Sequence, residues 1–431
     1  MTHADTLATR IHNSEQAREA LLDPQAENFI VYGKGRSYGD VALNSKGSTV
    51  LSGEFSAHKE FDPQTGILIC DPGVTFHDLI QEYLPTGFIA PVTPGTGYAT
   101  IGGAIANDVH GKNHDMAGSF GDHVIWLDLL LPDGEIKRLS REDSTSELLA
   151  ATIGGIGLTG IILKVCFKMQ RVPGNAVVVH EQRINNLDHF FDSFKQARDI
   201  STYSVGWIDA LAKGRNLGRG ILETAELSAD TLPTASQNKN HRVPFDFPNF
   251  TLNSTSIRLF NTMYYHRVPS EGRERQILLE KFLYPLDSLL EWNRIYGKRG
   301  FYQFQCVIPD EYSYEGIREL LETISNSGSG SFLAVLKTLG DAGTGYLSFP
   351  MRGYTLALDF PNKEKVASLL AQLETITLKF NGRIYLAKDA CLSAHGFARM
   401  YPRLEQFRQI LNTIDPLQRM NSDMARRLMI R

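Results

Sequence analysis

Short apolar runs separated by turn residues mark roughly the first 170 residues of the chain and predict strands. The predicted strands lie at 29–32, 66–70, 124–131 and 161–169, with amphipathic helices at 15–22 and 76–83. Ser144-Thr-Ser-Glu147 has the pattern of a capping box. A further helix is therefore expected to begin there and to end at Gly154-Gly155.

The pattern changes after residue 171, where glycine becomes rarer and longer amphipathic stretches begin. Helices are predicted at 187–198, 313–325 and 363–380, and strands at 301–307, 354–360 and 382–388. Residues 227–255 are polar and without a period, so we expect a long loop there. Because helices and strands do not alternate regularly, an α+β chain of two domains fits better than repeated βαβ units.

Composition and charge narrow the class of protein. The 431 residues are 42% hydrophobic and 21% charged, which is typical of a globular chain. A net charge of −4 argues against nucleic acid as a partner. The four cysteines are far apart and predict reduced thiols rather than a metal site. We find neither a signal peptide nor an apolar run of about 18 residues, so a soluble, cytoplasmic protein is expected.

Glycine is concentrated in one region, since 20 of the 37 glycines lie within residues 31–160. The segment GIGLTG at 155–160 matches GxGxxG, but it follows a predicted helix and precedes a predicted strand. A dinucleotide-binding turn requires the reverse order, because the pyrophosphate binds at the N-terminus of the following helix. The segment therefore predicts a tight turn rather than a Rossmann site.

A second pair of glycine-rich segments is a better candidate for binding phosphate. The first is VYGKGRSYGD at 31–40, and the second comprises PGTG at 94–97 and TIGGAIANDVHG at 100–111. Successive N–H groups that are not shielded by Cβ atoms form concavities that bind anions. Two such segments in one chain predict a site for a diphosphate.

These segments resemble the phosphate-binding loops of flavoprotein oxidases of the vanillyl-alcohol-oxidase type, also called the FAD-binding PCMH type. The resemblance is closer still to one branch of that family, the decaprenylphosphoryl-β-D-ribose 2'-oxidases. It extends over nearly the whole chain and rests on GRSYGD at 35–40, VHGKNH at 109–114, GSFGDHV at 118–124, GLTGII at 157–162, EWNRIYG at 291–297, LDFP at 358–361, AKD at 387–389 and SDMARRL at 422–428.

The resemblance implies a two-domain, non-Rossmann, FAD-binding PCMH-type fold. Residues 1–172 would begin the FAD domain, 173–382 would form a substrate domain with an antiparallel sheet, and 383–431 would return to the FAD domain. Relatives that attach flavin covalently often have histidine where this chain has Arg36, so non-covalent FAD is implied. The residues implied to bind FAD are Gly33, Lys34, Gly35, Arg36, Ser37, Tyr38, Gly39, Gly95, Thr100, Ile101, Gly102, Gly103, Asn107, Asp108, Val109, His110, Gly157, Ile162 and Tyr385.

The implied chemistry is removal of two electrons from a CH–OH carbon, with a hydride passing to the flavin. Lys388 is implied as the main catalytic residue, together with Tyr385 and His110. The Lys388 ammonium could face the N1–C2=O edge of the flavin or the substrate oxygen, and burial could lower its pKa toward that of a base. From the residue alone, an exposed lysine at a strand end is the alternative.

The residues implied to contact substrate are Tyr38, Lys112, Trp207, Gln303, Gln305, Lys337, Asp359 and Lys388. The period of a strand places Gln303 and Gln305 on one face and Phe304 on the other. Two amides on an otherwise apolar strand need partners, so they could read hydroxyl groups of a sugar. An edge strand with one wet face is the alternative.

Two local conflicts lead to further predictions. In a regular strand Tyr385 and Lys388 point to opposite faces, whereas the resemblance puts both near the flavin, so the strand must end or bulge between them. His110 and His114 have the spacing of metal ligands on a helix, but the residues between them disfavour a helix and no further ligand is evident. We predict no metal, and a structural role for His114.

The leading hypothesis is FAD-dependent oxidation of the 2'-hydroxyl of a polyprenylphosphoryl-β-D-ribose to a ketone. The resemblance implies that a separate NAD(P)H-dependent short-chain reductase then reduces the ketone, which completes an epimerisation to arabinose for the cell envelope. A lipid-linked substrate also implies peripheral contact with the inner membrane, and the 227–255 loop could cover the site. Two alternatives stay open: a soluble sugar or alditol oxidase that uses oxygen, and a catalytically silent flavin-binding partner of a reductase.

Overall fold

The structure is a computed structural model that describes residues 5–24, 28–198, 200–233, 241–248 and 251–431. Within these ranges the strands are β1 (Leu7–Arg10), β2 (Phe29–Tyr32), β3 (Ser48–Leu51), β4 (Lys59–Asp62), β5 (Ile67–Cys70), β6 (Phe88–Ile89), β7 (Val124–Leu130), β8 (Ile136–Ser140), β9 (Ile161–Lys168), β10 (Gln170–Arg171), β11 (Ala176–Ile184), β12 (Tyr203–Ile208), β13 (Gly220–Ser228), β14 (His241–Arg242), β15 (Arg273–Leu278), β16 (Leu289–Leu290), β17 (Phe301–Pro309), β18 (Ala334–Leu339), β19 (Gly353–Pro361) and β20 (Arg383–Ile384).

The helices of the same ranges are α1 (Ser14–Leu22), α2 (Phe76–Tyr83), α3 (Ile101–Ala106), α4 (His114–Ala117), α5 (Ser146–Thr152), α6 (Leu187–Arg198), α7 (Ser254–His266), α8 (Leu279–Leu283), α9 (Ser313–Ser327), α10 (Glu364–Lys379), α11 (Ala394–Met400), α12 (Leu404–Ile414) and α13 (Asp423–Arg427). None of these described helices is both long and apolar enough to cross a membrane.

An eight-stranded antiparallel sheet has the order β15-β11-β13-β12-β18-β19-β17-β20. Side chains of successive residues in a strand point to opposite faces. On one face, Phe304, Cys306, Leu356 and Leu358 pack in the main hydrophobic core with residues of α6, α9 and α10. The intervening residues, which include both glutamines of β17, therefore point to the other face, which we call the free face.

The N-terminal third supplies two smaller sheets. One is antiparallel with the order β4-β5-β9-β7-β8, and the other is parallel with the order β1-β3-β2. Helices α2 and α3 pack on the five-stranded sheet in a second core, which also contains Val177, Val179 and Tyr203 of the large sheet. This shared core fixes the large sheet against the N-terminal third.

The C-terminal segment returns to the N-terminal third. Phe29 of β2 forms a parallel bridge with Met420, and the N–H of Asn421 donates to the Phe29 carbonyl at 2.7 Å. Strand β20, at 383–384, pairs instead with β17 of the large sheet. The division of the chain into domains at 172 and 382 stays a prediction.

The α+β prediction is confirmed, because helices are mixed with antiparallel sheets throughout the described residues. The GxGxxG segment lies between α5 and β9, as predicted, and so cannot open a helix. The predicted capping box is wrong, because α5 begins after Thr145, whose side chain makes no cap bond. The Thr145 hydroxyl donates instead to Asp143 and accepts from the N–H of Ser140.

Two other expectations need correction. The strand predicted at 382–388 ends at Ile384, and a 3₁₀ turn over Leu386–Lys388 follows. The long loop predicted at 227–255 contains the end of β13, the short strand β14 and the start of α7. The rest of that prediction falls partly on 234–240 and 249–250, which lie outside the described residues.

Candidate functional site

One large cavity, of about 2320 Å³, is lined by the glycine-rich segments of the N-terminal third and by the free face of the large sheet. Typical small-molecule pockets measure roughly 300–1,000 Å³, so this cavity has room for a cofactor and a substrate together. Every proposed FAD-binding or substrate-binding residue lines it except Ile101, Asp108 and Asp359. The fold thus brings the proposed residues together from both ends of the chain.

The first glycine-rich segment turns sharply after β2. Gly35 and Gly39 have φ angles of +64° and +85°, which favour glycine. At Gly39 a Cβ atom would lie 1.8 Å from the carbonyl oxygen of Asp389. The N–H groups of residues 34–37 have no hydrogen-bond acceptor in the part of the chain that the structure describes. These free donors on a cavity wall suit a diphosphate.

Three motifs of the family resemblance meet behind this segment. Arg427 Nη2 lies 2.7 Å from Asp40 Oδ1 and 2.8 Å from Asp389 Oδ2. Asp40 ends GRSYGD, Asp389 ends AKD, and Arg427 belongs to SDMARRL. This ion network ties the segment that carries Lys388 to the first glycine-rich segment, so these motif residues build the wall of the cavity.

The second glycine-rich segment offers fewer free donors. The N–H groups of Ile101 and Gly102 at the start of α3 donate to carbonyls of the preceding chain at 2.8 Å, and that of Gly103 donates to Thr100 Oγ1 at 3.2 Å. In the PGTG turn, the N–H of Gly97 donates to the Asp287 carboxylate at 2.7 Å. The first segment is therefore the principal donor of N–H groups to a diphosphate.

Two buried polar atoms on the cavity side have no partner among the described residues, namely Asn107 Oδ1 and His110 Nδ1. Buried polar atoms are normally hydrogen-bonded, so unpaired ones beside a cavity point to a missing polar ligand. With the free N–H groups of 34–37 and the Cβ-free walls at Gly33 and Gly39, they form a surface that a flat, polar, phosphate-bearing cofactor can contact closely. The residues present fit FAD.

His110 connects the N-terminal third to the large sheet. The Gln305 amide donates to His110 Nε2 at 2.9 Å and lies 3.2 Å from Thr355 Oγ1. Burial, followed by the charge of Lys337, holds the pKa of His110 well below its usual value, so the ring is neutral. Because Nε2 accepts, the proton is assigned to the unpartnered Nδ1, which is free to donate to a ligand.

Tyr385 and Lys388 both line the cavity because the strand ends early. The N–H of Tyr385 donates to the Gln305 carbonyl at 2.9 Å, and the following 3₁₀ turn carries Lys388 round so that its Nζ lies 4.1 Å from the centre of the Tyr38 ring. The prediction that no unbroken strand contains both residues is confirmed. Within the described residues Lys388 Nζ has no hydrogen-bond acceptor, so it is available to a ligand.

Three lysines, Lys112, Lys337 and Lys388, make the cavity strongly electropositive. None has a carboxylate within ion-pair distance in the described parts of the chain, and burial lowers the pKa of each to about 8. The charge of Lys337 contributes to the lowering for the other two. Buried ammonium groups without a direct ion pair are costly for folding, and such a cluster in a cavity indicates an anionic ligand.

The two glutamines are held differently. Gln303 Nε2 donates to Asp359 Oδ1 at 2.6 Å, and Tyr296 donates to Asp359 Oδ2 at 3.2 Å. Burial raises the pKa of Asp359 to about 7, against the opposing effects of the Gln303 hydrogen bond and the charge of Lys388. The alternative of a wet edge strand is wrong, because β19 and β20 flank β17 and Gln305 is buried.

Three proposed site residues do not reach the cavity. Ile101 is fully buried in the second core. Asp108 accepts hydrogen bonds from the N–H of Gly121 and the hydroxyl of Ser348, and burial raises its pKa to about 6. Asp359 is directly opposite Gln303 on β19 and does not line the cavity, but it accepts a hydrogen bond from the Gln303 amide. His114, for which a structural role was expected, accepts from the N–H of Gly340 at 2.9 Å.

The structure adds a charged group that sequence reasoning missed, at the end of the free face that is remote from β17. Glu181 and Glu223 are directly opposite each other on β11 and β13, which is unfavourable for like charges. Arg267 bridges them at 2.6 and 2.9 Å, and Arg275 Nε lies 3.2 Å from Glu181 Oε2. The facing carboxylates become visible only once the register of two strands is known.

Comparisons with known proteins identify the family of the chain. Residues 9–140 match the family described as FAD binding domain, and residues 333–428 match the family described as D-arabinono-1,4-lactone oxidase. Together with the cavity, these matches define an FAD-dependent oxidoreductase with a PCMH-type FAD-binding fold. The chain is 36% identical over 411 residues to decaprenylphosphoryl-beta-D-ribose oxidase of Mycolicibacterium smegmatis, which covers 93% of this chain and 89% of the relative. The chain belongs to the family of that oxidase.

Two further relatives show how far the similarity extends. A Streptomyces coelicolor protein described as an uncharacterized protein in the mprA 5' region is 29% identical over 372 residues, which is 82% of this chain and 100% of that protein. D-lactate dehydrogenase of Anaerostipes hadrus is 31% identical over 121 residues, which is 27% of this chain and 26% of that protein. The similarity to the dehydrogenase is thus limited to a part of each chain.

Proposed function

We propose that the protein oxidises the 2'-hydroxyl of a polyprenylphosphoryl-β-D-ribose to a ketone. The observation that carries this proposal is the order of groups on the free face. The amides of Gln303 and Gln305, which would bind sugar hydroxyls, lie on β17. Lys337 lies two strands away on β18. Because the phosphate of this substrate is attached to the carbon next to the one oxidised, a cation is needed close to the amides.

The sugar would be held by Gln303, Gln305 and His110. Asp359 accepts from the amide nitrogen of Gln303 and so fixes the orientation of that amide. The Gln303 carbonyl oxygen is left to accept from a sugar hydroxyl. Gln305 is fixed between His110 and Thr355, and His110 Nδ1 offers a further donor. Such prearranged polar groups orient a secondary alcohol without the cost of reorganisation.

Oxidation of the alcohol removes a hydride from carbon and a proton from oxygen. When bound, FAD supplies the acceptor for the hydride. Lys388 would accept the hydroxyl proton, because its pKa of about 8 makes a substantial fraction neutral near physiological pH. Asp359 places a negative charge near Lys388 and so favours the ammonium that results from this proton transfer.

The phosphodiester would lie against Lys337 and Lys112. Lys337 is directly opposite Thr355, whose hydroxyl contacts the Gln305 amide. Two strand spacings of roughly 4.8 Å separate β17 from β18, which is the scale of a sugar plus its phosphate. Lys112 lies beyond, where its Nζ is 4.0 Å from the centre of the Phe282 ring. One negative charge on the substrate would meet two ammonium groups that lack an ion pair, of which Lys112 also donates to the Phe282 carbonyl.

The proposal extends to the organisation of the protein and to its partners. The glycine-rich N-terminal third and the C-terminal segment would form the FAD domain, and the large sheet the substrate domain. FAD would be bound non-covalently, since Arg36 cannot form a bond to the flavin. The keto product requires a reductase that delivers hydride from NAD(P)H if the net result is epimerisation, and the lipid chain requires contact with a membrane.

The test is anaerobic addition of a polyprenylphosphoryl ribose to the FAD-loaded protein, followed by absorbance of the oxidised flavin near its visible maximum. Bleaching by this substrate, and not by free ribose or alditols, is expected. Lys388→Ala should lose the bleaching although dithionite still reduces the flavin, whereas Lys379→Ala, which alters an exposed lysine on α10, should keep it. Absence of bleaching by any phosphoprenyl pentose would contradict the proposal.

The match of residues 333–428 to the lactone oxidase family favours a second candidate, a sugar or alditol oxidase that uses oxygen. It predicts bleaching by a free sugar or alditol and stoichiometric hydrogen peroxide in air. The three unpaired lysines weigh against it, because a neutral polyol offers them no counter-charge.

A further inference from the structure

Helix α7 is apolar on two sides. Ile257 and Tyr265, two turns apart, are buried against the protein. Leu259 and Met263, one turn apart on another side, are 64% and 67% exposed, and the adjacent Phe260 is 44% exposed. We call these three residues the α7 apolar face. A helix that is apolar on both sides is normally buried on both, so this face lacks a covering among the residues that the structure describes.

The α7 apolar face continues into the cavity. The Phe260 ring stacks on Tyr264 at 5.7 Å, and Tyr264 packs on Trp207 at 4.7 Å. Tyr264 and Trp207 both line the cavity. A continuous aromatic path therefore runs from Trp207 on the free face to the exposed side of α7. Such a path suits the prenyl chain of a substrate whose sugar lies deep inside.

Three exposed basic residues lie on α7 and near its start. Arg258 of α7 is exposed, as are Lys298 and Arg299, and none of the three has an ion-pair partner among the described residues. The segment of Lys298 and Arg299 is close to the start of α7, because the Arg299 carbonyl accepts from Asn362 and the neighbouring Lys363 donates to the Leu252 carbonyl. An apolar helix face with a basic border is the pattern of a helix that lies in the interface of an anionic membrane.

We propose that the α7 apolar face, made of Leu259, Phe260 and Met263, docks on the surface of an anionic lipid bilayer, so that the prenyl chain of the substrate enters the cavity directly from the membrane. This inference rests on the proposed function. A protein partner or a second copy of the chain would also cover the apolar residues. The border of unpaired cations and the continuity with the cavity favour lipid.

The chain provides a matched pair of variants for a test. Leu259→Gln/Met263→Gln removes two exposed apolar side chains from α7. Leu417→Gln/Met429→Gln removes the same two residue types, 81% and 67% exposed, from the C-terminal segment. Glutamine retains side-chain length and, on α7, helix propensity, so both proteins should unfold at the temperature of the wild type. Binding is measured by co-sedimentation of the FAD-loaded proteins with vesicles of phosphatidylglycerol and phosphatidylcholine, and with phosphatidylcholine alone.

We expect the wild type and the C-terminal variant to bind the anionic vesicles at least about tenfold more tightly than the α7 variant, since burying each apolar side chain contributes about tenfold or more. Binding to phosphatidylcholine alone should be weaker for all. Equal binding by the two variants, no binding by the wild type, or a wild-type dimer that the α7 substitutions dissociate would each overturn the proposal.

Turnover separates this inference from the proposed function. With a water-soluble, short-chain prenylphosphoryl ribose, the α7 variant should react as the wild type does. With a long-chain substrate embedded in anionic vesicles, it should react at least about tenfold more slowly. If neither substrate is oxidised by any of the proteins, the proposed function fails, while the vesicle-binding result still decides the role of α7.

Discussion

The buried carboxylate of Asp359 offers the sharpest test of the proton-transfer role given to Lys388. Asp359 has no exposed surface and no direct ion pair, and its charge raises the pKa of Lys388 against the effect of burial. Asp359→Asn removes the charge and keeps the shape. The asparagine oxygen can still accept from Gln303, and its amide can donate to the Tyr296 hydroxyl.

The size of the effect follows from the electrostatics. Two unit charges 4 Å apart interact by about 4 kcal/mol at an effective dielectric constant of about 20. Lys388 and Asp359 are farther apart than a direct ion pair, so their interaction is weaker, on the order of 1.5 kcal/mol. Because about 1.4 kcal/mol corresponds to one pKa unit, the substitution should lower the pKa of Lys388 from about 8 to about 7.

The assay is stopped-flow flavin reduction under anaerobic conditions at low substrate concentration, from pH 6 to about 9.5. If neutral Lys388 accepts the proton, the wild-type rate constant rises with pH and levels off above about 8, where Asp359, with its pKa of about 7, is ionised. In Asp359→Asn the same rise should occur about one pH unit lower. Asp341→Asn, which alters a carboxylate that is 89% exposed, should leave the profile unchanged.

The direction in which the rate constant changes with pH distinguishes neutral Lys388 from its ammonium form. A rate constant that falls as pH rises through about 8 would mean that Lys388 acts as the ammonium, beside the flavin or the substrate oxygen. An inflection that does not move in Asp359→Asn, or moves upward, would show that the carboxylate does not act through the charge of Lys388. The first result would refute proton transfer to neutral Lys388, and the second would refute its coupling to Asp359.

Three further predictions concern the cavity walls. Lys337→Met should stabilise the FAD-free protein by about 2 kcal/mol at pH 7 and by little near pH 10.5. The reason is that burial disfavours the Lys337 ammonium only in the folded state. Thermal unfolding at both pH values checks this prediction. The same variant should raise KM for a phosphoprenyl substrate. Gly39→Ala should lose FAD on gel filtration, since its Cβ would clash with Asp389. Acid precipitation should leave yellow FAD in the supernatant, as Arg36 implies.

Local patterns were sufficient for much of the cavity. Alternation along 301–307 correctly placed Gln303 and Gln305 on one face, because a strand has a fixed period of two. The order of helix, GxGxxG and strand correctly excluded a Rossmann turn. Both inferences depend only on residues within one element and its immediate neighbours, where geometry follows directly from sequence.

Contacts between distant segments could not be predicted in this way. Asp287 takes the N–H of Gly97, 190 residues away, and Asp108 is held by Ser348, 240 residues away. The apolar run 382–388 suggested a strand, but pairing with β17 lasts for two residues and the chain then turns to carry Lys388 inward. In each case tertiary packing, rather than local propensity, decides where the side chain points.

The order of groups on the free face follows from strand pairing alone. Gln305 pairs with Ala357, Ala357 with Val335, and Val335 with Trp207, so this row crosses from β17 to β12 in a straight line. Lys337, two residues along β18 from Val335, necessarily lies on the same face and between the amides and the indole. The sequence of amide, ammonium and aromatic ring matches the sequence of sugar, phosphate and prenyl chain in the proposed substrate. If the register of any of these strand pairs shifted by one residue, the side chains of that strand would exchange faces. Residues of the row would then point into the main core, where an ammonium or an amide has no partner. The register that buries Leu356 and Leu358 is therefore the same constraint that places Lys337 and the glutamines on one face, as the proposed substrate requires.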